Sequence, residues 1–527
     1  MDSSKHEKKF CVVIGAGMCG IAVAAEIVNK NVLSLDEFAI LERQSDYGGV
    51  WSANTYPGAA CDVPSHIYSM SFHLNPKWSR WYATRDEIQQ YYSRMARHHK
   101  LDRSTKFNTT VISATWNETT LLWEVVTENT ASKIRKTYLA NVLVSAVGQF
   151  TRPKYANIPG FENFKGTVWH TAEWNHDYDL TGKRVAIIGT GPSTAQVAPA
   201  IQPIVKKLTL YQRSPTYVLP RGDAPISKKW IALFTWFPGI LWLYHWWLCF
   251  KKERTRQTWY SGTESQARAR DRALSHLHAQ VSDPALREKL TPNHEYGCKR
   301  PLLLDDYYPT LGKPNVELIT DKPVRFTENS IISQPVETEI DVLIWGTGFE
   351  MRDMGGNFAA YGVNGIKLQD MWGEKPEAYY GVCTTNFPNF FVMFGPNSAA
   401  PWANLCTVFG VQAQYNVKMI KHLKQQNRKR ANERYAIMVD AGVQRRFNDW
   451  IQANMGPLSI VSPNCSNYYI NSKGHITFNW PFYGWYYRWC LWSPNFKDYV
   501  TIRQPAKLSG LEPVYSDAER SQSYVTV

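Results

Sequence analysis

Phe10-Cys-Val-Val-Ile-Gly15-Ala-Gly17-Met-Cys-Gly20-Ile-Ala-Val-Ala-Ala-Glu-Ile27 decides the fold of this chain. The run 10–14 is short and apolar, the pattern of a buried strand. It passes directly into a Gly-x-Gly-x-x-Gly turn and then a helix of small residues. Each glycine does something different. Gly15 makes the tight turn, Gly17 lets the backbone approach a pyrophosphate, and Gly20 lets the helix pack close to the strand. The helix start offers unpaired N–H groups and the positive end of its dipole to phosphate. A second strand, Glu37-Phe-Ala-Ile-Leu41, ends at Glu42, where such a fold places the acid that binds ribose hydroxyls. Strand, loop, helix, strand and acid in this order predict a dinucleotide-binding α/β unit. Glu42 disfavours a 2′-phosphate, so this unit is set for FAD or NAD.

The same grammar returns further on. Arg184-Val-Ala-Ile-Ile188 reads as a strand and leads into Gly189-Thr190-Gly191-Pro-Ser193-Thr194. Thr194 stands at the third glycine position, so its helix is expected slightly further from the strand, with a hydroxyl available to phosphate. The next strand, Leu208-Thr-Leu-Tyr211, ends in Gln212-Arg213. A cation replaces the ribose-reading acid, and Arg can clasp a 2′-phosphate through two parallel hydrogen bonds. The reversal of sign between Glu42 and Arg213 predicts one loop for a dinucleotide with free ribose hydroxyls and one for NADPH.

Composition bounds the rest. A chain of 527 residues is too long for one core. Its net charge of +14 raises nucleic acid or an anionic membrane as partners, but the densest basic run is Arg428-Lys-Arg430 and no nucleic-acid module is present. A basic cofactor site and general surface charge account for it better. Aromatic residues make up 14%, which suits a large apolar cavity as well as ordinary cores. The nine cysteines (11, 19, 61, 249, 298, 383, 406, 465, 490) are scattered, without a Cys-x-x-Cys pair. They read as reduced thiols of a cytoplasmic protein, with no metal-ligating pattern. Residues 2–9 are polar and no signal peptide is expected.

Between and after the two loops lie five informative stretches. Gly48-Gly49-Val50-Trp51 and Tyr56-Pro57-Gly58-Ala-Ala-Cys-Asp62 read as a turn-rich loop. Segment 230–250 has no charged residue and five tryptophans. Its length would suit a membrane span, but Pro238, Gly239 and His245 interrupt it. Arg213 before it and Lys299 after it should also meet at one cofactor. Two readings remain: buried helices of an insert packed on the NADPH domain, or a helix on a membrane surface with Lys228, Lys229, Lys251 and Lys252 toward headgroups. Residues 253–290 read as charged surface helices. Gly297-Cys298-Lys299-Arg300-Pro301 sets two adjacent cations before a proline, and Asp341-Val-Leu-Ile-Trp345 with Gly346-Thr-Gly348-Phe349 reads as a final Rossmann-type strand and the turn after it.

The spacing Phe164-x-Gly166-x-x-x-His170-x-x-x-Trp174 resembles the fingerprint of the class B flavoprotein monooxygenases, and Trp at its end resembles the Baeyer–Villiger branch. Asn175, just after it, departs from the usual Pro or Asp. Gly49-x-Trp51-x-x-x-x-Tyr56-Pro57-Gly58-x-x-x-Asp62 is similar to the longer signature of the same branch. The resemblance runs from Phe10 to about Tyr499. It implies an α/β fold of two nested Rossmann-like domains with a helical insert. The FAD domain would comprise 1–150 and 336–505, the NADPH domain 151–225 and 296–335, the insert 226–295 and a tail 506–527. FAD would meet Gly15, Gly17, Gly20, Glu42, Gly49, Val50, Trp51, Asp62, Tyr68 and Val111. NADP would meet Gly189, Thr190, Gly191, Ser193, Thr194, Gln212, Arg213, Lys299 and Arg300. Gly395-Pro396-Asn397-Ser398 resembles a late flavin-contacting turn, and Tyr468 takes the place of a Trp at the nicotinamide end. The implied reaction is oxygen insertion beside a ketone carbonyl, with NADPH, O2 and a flavin C4a-peroxide, giving an ester or lactone. Arg300 would stabilise the oxygenated flavin and Asp62 would orient Arg300. The rivals are a flavin monooxygenase acting on sulfur or nitrogen, a non-catalytic dinucleotide-binding protein, and a disulfide reductase, for which the redox cysteine pair is missing.

Overall fold

The protein is described by a computed structural model that covers residues 6–350, 356, 358–429, 433–462, 465, 467, 469–471 and 473–503. The 506–527 tail, Arg430 and Tyr468 lie outside the described residues. Two α/β units form the body of the chain, the first on a mixed sheet and the second on a parallel one. In the first, β1 (His6–Ile14) is followed by α1 (Met18–Asn29) and β2 (Phe38–Leu41). The helix α2 (Arg85–His98), β3 (Thr105–Lys106), β4 (Thr109–Asn117), β5 (Leu122–Asn129) and β6 (Arg135–Ser145) follow. Strand β1 lies between β6 and β2, parallel to both, with Val13 opposite Val144 and Ile40. The apolar residues 11–14 are all buried, as a strand covered on both faces requires.

The chain then crosses to a second, five-stranded sheet in which every pairing is parallel. It contains β7 (Thr167–His170), β8 (Arg184–Ile188), α3 (Pro192–Ile201) and β9 (Lys207–Tyr211). After the helical hairpin α4 (Lys228–Trp236) and α5 (Pro238–Glu253), the sheet is completed by β10 (Val316–Ile319) and β11 (Val342–Trp345), in the order β10-β9-β8-β11-β7. Finally β12 (Ala359–Tyr361) and β13 (Phe390–Val392) rejoin the first sheet beside β4 and β6. The long α6 (Leu405–Lys429) lies against α1, and the short α7 (Gly484–Cys490) borders the hairpin. Each unit therefore presents the carboxyl ends of its strands, where open α/β sheets bind ligands.

The expected return to the FAD domain at 336 comes too early, because β11 pairs with β7 and β8 in the second sheet and the chain rejoins the first sheet only at β12. Two further expectations are corrected. First, Cys298 and Cys465 form a disulfide, with Cα atoms 5.6 Å apart across a sequence separation of 167 residues. The uniform thiol reading fails because only the tertiary fold brings these two together. The other seven cysteines are unpaired. Second, the hairpin is buried along one side only and is not seated on the second unit. Its inner face rests on the first unit: His245 Nδ1 lies 2.8 Å from the His66 carbonyl, and Phe234 and Tyr244 pack on the His66 ring. Among the described residues no helix is long and apolar enough to cross a membrane. The expected surface helices after it are present as Glu264–Gln280 and Pro284–Leu290.

Candidate active site

The first loop is built as its glycines suggest. Gly15 has φ +101°, a conformation costly for any other residue, and a Cβ there would lie 2.7 Å from the Ala146 carbonyl oxygen. A Cβ on Gly20 would fall 1.9 Å from the Gly15 carbonyl oxygen, so only glycine lets α1 approach β1 this closely. No side chain caps the N-terminus of α1, and its N–H groups remain directed at the cleft. That cleft is lined by Gly15, Gly17, Glu42, Gly49, Val50, Tyr68 and Val111 of the expected set. Gly20 packs behind it. Trp51 acts through Tyr68: its Nε1 donates to Tyr68 Oη at 3.0 Å.

Glu42 is buried at the end of β2, and its two oxygens accept from the N–H groups of Ala16 at 2.6 Å and Gln44 at 2.8 Å. Two charge-assisted bonds fix the carboxylate, while lone pairs remain for a ribose hydroxyl. The cleft also takes in Gln149, Phe358, Phe394 and Phe409, which strand and loop patterns did not single out. Phe394 precedes the Gly395-Pro396-Asn397-Ser398 turn. Asn397 itself faces away, donating to the carbonyls of Ile476 and Asn479 at 2.8 and 3.0 Å. A glycine-lined cradle, an open helix start and a pinned acid fit the ADP end of FAD, and the aromatic wall fits a flat ring system.

The second loop is more open. A Cβ on Gly191 would meet nothing within 4 Å, and no side chain caps the start of α3. Thr190 and Ser193 are half-buried on the loop. Thr194 is fully buried and its hydroxyl has no hydrogen-bond partner among the described residues. It fills the space over Gly346, where a Cβ would lie 2.0 Å from Thr194 Oγ1. The hydroxyl thus points into the sheet and not at a phosphate, so the missing third glycine of the loop is balanced by a glycine on the facing turn. Gln212 is also turned inward, donating to the Lys289 carbonyl at 2.8 Å. Arg213 is exposed, and Lys299 comes beside it, its amine donating to Ser214 Oγ. Burial, and then the like charge of Arg213, push the Lys299 ammonium below its ordinary range. Neither cation has an ion-pair partner among the described residues. Two like charges held together without a counter-ion fit a phosphate monoester such as the 2′-phosphate of NADPH.

Arg300 and Asp62 meet across the two units. Nε and one terminal nitrogen of Arg300 donate to the two carboxylate oxygens of Asp62 at 2.9 and 2.8 Å. Their side chains remain about a third exposed (33% and 29%), so the pair contributes at most about 1 kcal/mol to stability. Its planar two-point geometry chiefly sets direction. The Asp62 loop is clamped to α3 by Gln196, whose Nε2 donates to the Ala60 carbonyl at 2.8 Å and whose Oε1 accepts from Tyr56 Oη at 3.1 Å. Gly58 allows this approach, since a Cβ there would sit 2.5 Å from the Gln196 carbonyl oxygen. Gln196 is a positioning residue that no local pattern marks. On the other side, Arg300 follows Cys298, which the disulfide ties to Cys465. Lys252 of α5 lies close enough that burial, and then the charge of Arg300, lower its ammonium to about 8.

The fingerprint residues organise the crossing. The Phe164 ring lies over Gly166, where a Cβ would be 2.3 Å from Phe164 Cζ. His170 is fully buried at the end of β7, opposite Trp345. Its Nδ1 accepts from the Ala172 N–H at 3.0 Å, and burial lowers its pKa, so the ring serves as a neutral cap. Trp174 packs edge-on against Trp169 at 5.6 Å. Asn175 accepts from the Asp177 N–H at 3.1 Å in a local turn, which explains why it can replace a proline there. Elsewhere, His73, His98 and His99 converge with ring nitrogens within 4.8 Å, but the nearby positive charge of Arg94 opposes a cation there.

Residues 7–229 match the family described as flavin-binding monooxygenase-like. The chain is 40% identical over 506 residues to the FAD-binding monooxygenase BOA2 of Botryotinia fuckeliana, covering 94% of this chain and 95% of that one. It is 35% identical over 478 residues to a Baeyer–Villiger monooxygenase of Pseudomonas aeruginosa, covering 90% and 88%. Among solved structures it is similar to NADP+-bound cyclohexanone monooxygenase from Rhodococcus sp. Phi1, with a TM-score of 0.80, 27% identity and coverage of 92% and 97%. It is likewise similar to oxidised steroid monooxygenase bound to NADP, with a TM-score of 0.81, 26% identity and coverage of 94% and 99%. The chain belongs to the Baeyer–Villiger monooxygenase family of flavin-binding monooxygenases.

Proposed function

We propose that this chain uses FAD, NADPH and O2 to insert one oxygen atom beside the carbonyl of a small-molecule ketone, giving an ester or lactone. The observation that carries the reading is the bidentate Arg300–Asp62 pair, which joins the two units between an acid-terminated and a cation-terminated phosphate loop. When bound, FAD supplies the hydride acceptor and the site of oxygen activation. The chain's own residues hold and aim. Gly15, Gly17 and the start of α1 seat the pyrophosphate, and Glu42 takes the ribose. Arg213 and Lys299 grip the 2′-phosphate, with Gly189, Gly191 and the α3 start beneath the pyrophosphate. Arg300 keeps its proton at any working pH and so provides a permanent positive charge where negative charge develops. Asp62 holds the guanidinium plane, and Gln196 holds the Asp62 loop. Excluding water from the crevice raises the worth of that charge.

Incubation with NADPH, 18O2 and a ketone panel, followed by mass spectrometry, tests this. One 18O in an ester or lactone supports it; sulfoxide or N-oxide formed from added sulfides or amines, with ketones untouched, contradicts it. We also infer that the chain resides in the cytoplasm, on the strength of its seven unpaired cysteines. Fractionation of cells that produce the chain tests this: recovery with the reducing cytosolic fraction or bound to its membranes supports it, and recovery from a secretory or other oxidising compartment contradicts it.

A further inference from the structure

The outer face of the α4–α5 hairpin is apolar, aromatic and bare. Trp236, Phe237, Ile240, Leu243, Trp247 and Phe250 are exposed, with Trp236 78% and Leu243 and Phe250 each 63% accessible. From Phe237 onward they recur at intervals of three and four residues, which lines Ile240, Leu243, Trp247 and Phe250 along one side of α5, with Trp236 and Phe237 at the bend before it. Leu241, His245 and Cys249 occupy the opposite side and are buried against the protein. The stripe continues sideways through Trp242 and Trp246 to α7, where Arg488 lies over the Trp246 ring at 5.1 Å. There Trp485 and Trp489 are again exposed. A soluble monomer rarely leaves so large a continuous apolar surface uncovered.

The exposed charges at the two ends of the hairpin are of one sign, and the one acid of α5, Glu253, is partly buried and accepts from the Gly484 N–H at 2.9 Å. Lys228 and Lys229 stand at one end of the hairpin and Lys251 and Arg254 at the other, all exposed. No acidic residue occurs between Ile226 and Lys252. A second copy of the chain would meet this face with an identical basic rim, a poor complement in a two-fold interface. An anionic lipid surface complements both parts at once: headgroups for the lysines, and the acyl boundary for the tryptophans, which favour that depth. Helix α5 has 16 residues, about 24 Å at the helical rise, and a break at Phe237 and Pro238 separates it from α4. It is too short to span the hydrocarbon core and suited to lying in the interface.

We propose that the α4–α5 hairpin, bordered by α7, docks this protein on anionic membrane surfaces with its aromatic stripe in the headgroup boundary. The proposal does not depend on the oxygenation chemistry, because no residue of the stripe belongs to the cofactor or Arg300 sites.

Vesicle flotation of the FAD-loaded protein tests it, with phosphatidylcholine vesicles and with vesicles containing 30% phosphatidylserine. Wild type should float with the anionic vesicles, and the floating fraction should fall as NaCl rises. Lys228→Gln/Lys229→Gln should weaken binding about fivefold per lysine. Trp236→Ser/Leu243→Ser/Trp247→Ser should abolish flotation while keeping FAD absorbance and NADPH oxidation. Light scattering on the same samples separates the rival occupant. A dimer that the triple substitution dissolves, with no flotation of wild type, would overturn the proposal in favour of self-association. Wild type that stays unbound and monomeric, or a triple variant that floats as well as wild type, would also overturn it.

Discussion

The two phosphate loops share one plan but differ in what surrounds them. The first is sealed: Gly20 presses against Gly15, and Glu42 is buried with both oxygens pinned by backbone N–H groups. The second is as tight at its turn, where a Cβ on Gly189 would lie 2.4 Å from the Gly346 carbonyl oxygen, but open at its tip: a Cβ on Gly191 would meet nothing within 4 Å, and Arg213 reaches solvent beside Lys299 without an ion-pair partner among the described residues. A sealed loop suits a group held through every turnover, and an open one suits a group that must come and go. The contrast teaches that the two nucleotide sites differ in packing as well as in charge.

Substitution at one glycine of each loop, Gly20 in the first and Gly191 in the second, should separate the loops most strongly. Gly20→Ala places a methyl group 1.9 Å from a carbonyl oxygen, so it should give protein without bound FAD, visible as loss of the absorbance near 450 nm. Gly191→Ala should keep a full complement of FAD and raise only the KM for NADPH. Equal FAD loss in both variants would erase the distinction. Next in size is the charge. Arg213→Ala should raise the KM for NADPH by about one to two orders of magnitude, since a hydrogen bond to a charged group is worth roughly 1.5–3 kcal/mol. The KM for NADH should hardly change, and a parallel rise for both cofactors would show that Arg213 does not read the 2′-phosphate. The smallest effect concerns Thr194. Gly346→Ala should lower stability by about 1–3 kcal/mol through collision with Thr194 Oγ1, and adding Thr194→Gly should recover most of it. Additive losses in a denaturation cycle would mean the two positions do not share that space.

Legibility followed the range of the interaction. The strand–loop–helix runs at 10–27 and 184–201 were readable because their apolar periods and glycines are local. Asp62 and Arg300 were readable as residue types within signatures, although their 2.8 Å contact joins positions 238 apart. Thr194 and Gln212 were placed on the right loop but not pointed correctly, because Gly346 and Lys289, which receive them, are remote in sequence. Gln196 and the Cys298–Cys465 pair carry no local pattern at all. The hairpin was misplaced for a different reason. Its hydrophobicity marks a face to be covered but not which body covers it, and here the protein covers only the His245 side.

Under the proposed function, Arg300, aimed by Asp62, serves oxygen transfer and not cofactor reduction. Two rates measured on one variant separate these steps: anaerobic bleaching of the flavin by NADPH, and oxygenated product formed per NADPH consumed in air. For Arg300→Ala the account predicts retained FAD, anaerobic bleaching within about tenfold of wild type, and loss of detectable ester, with Arg300→Lys only partly restored because an ammonium lacks the planar fork that Asp62 holds. Ester formation by Arg300→Ala at near wild-type yield would contradict it and reduce Arg300 to one more basic residue along the NADPH site.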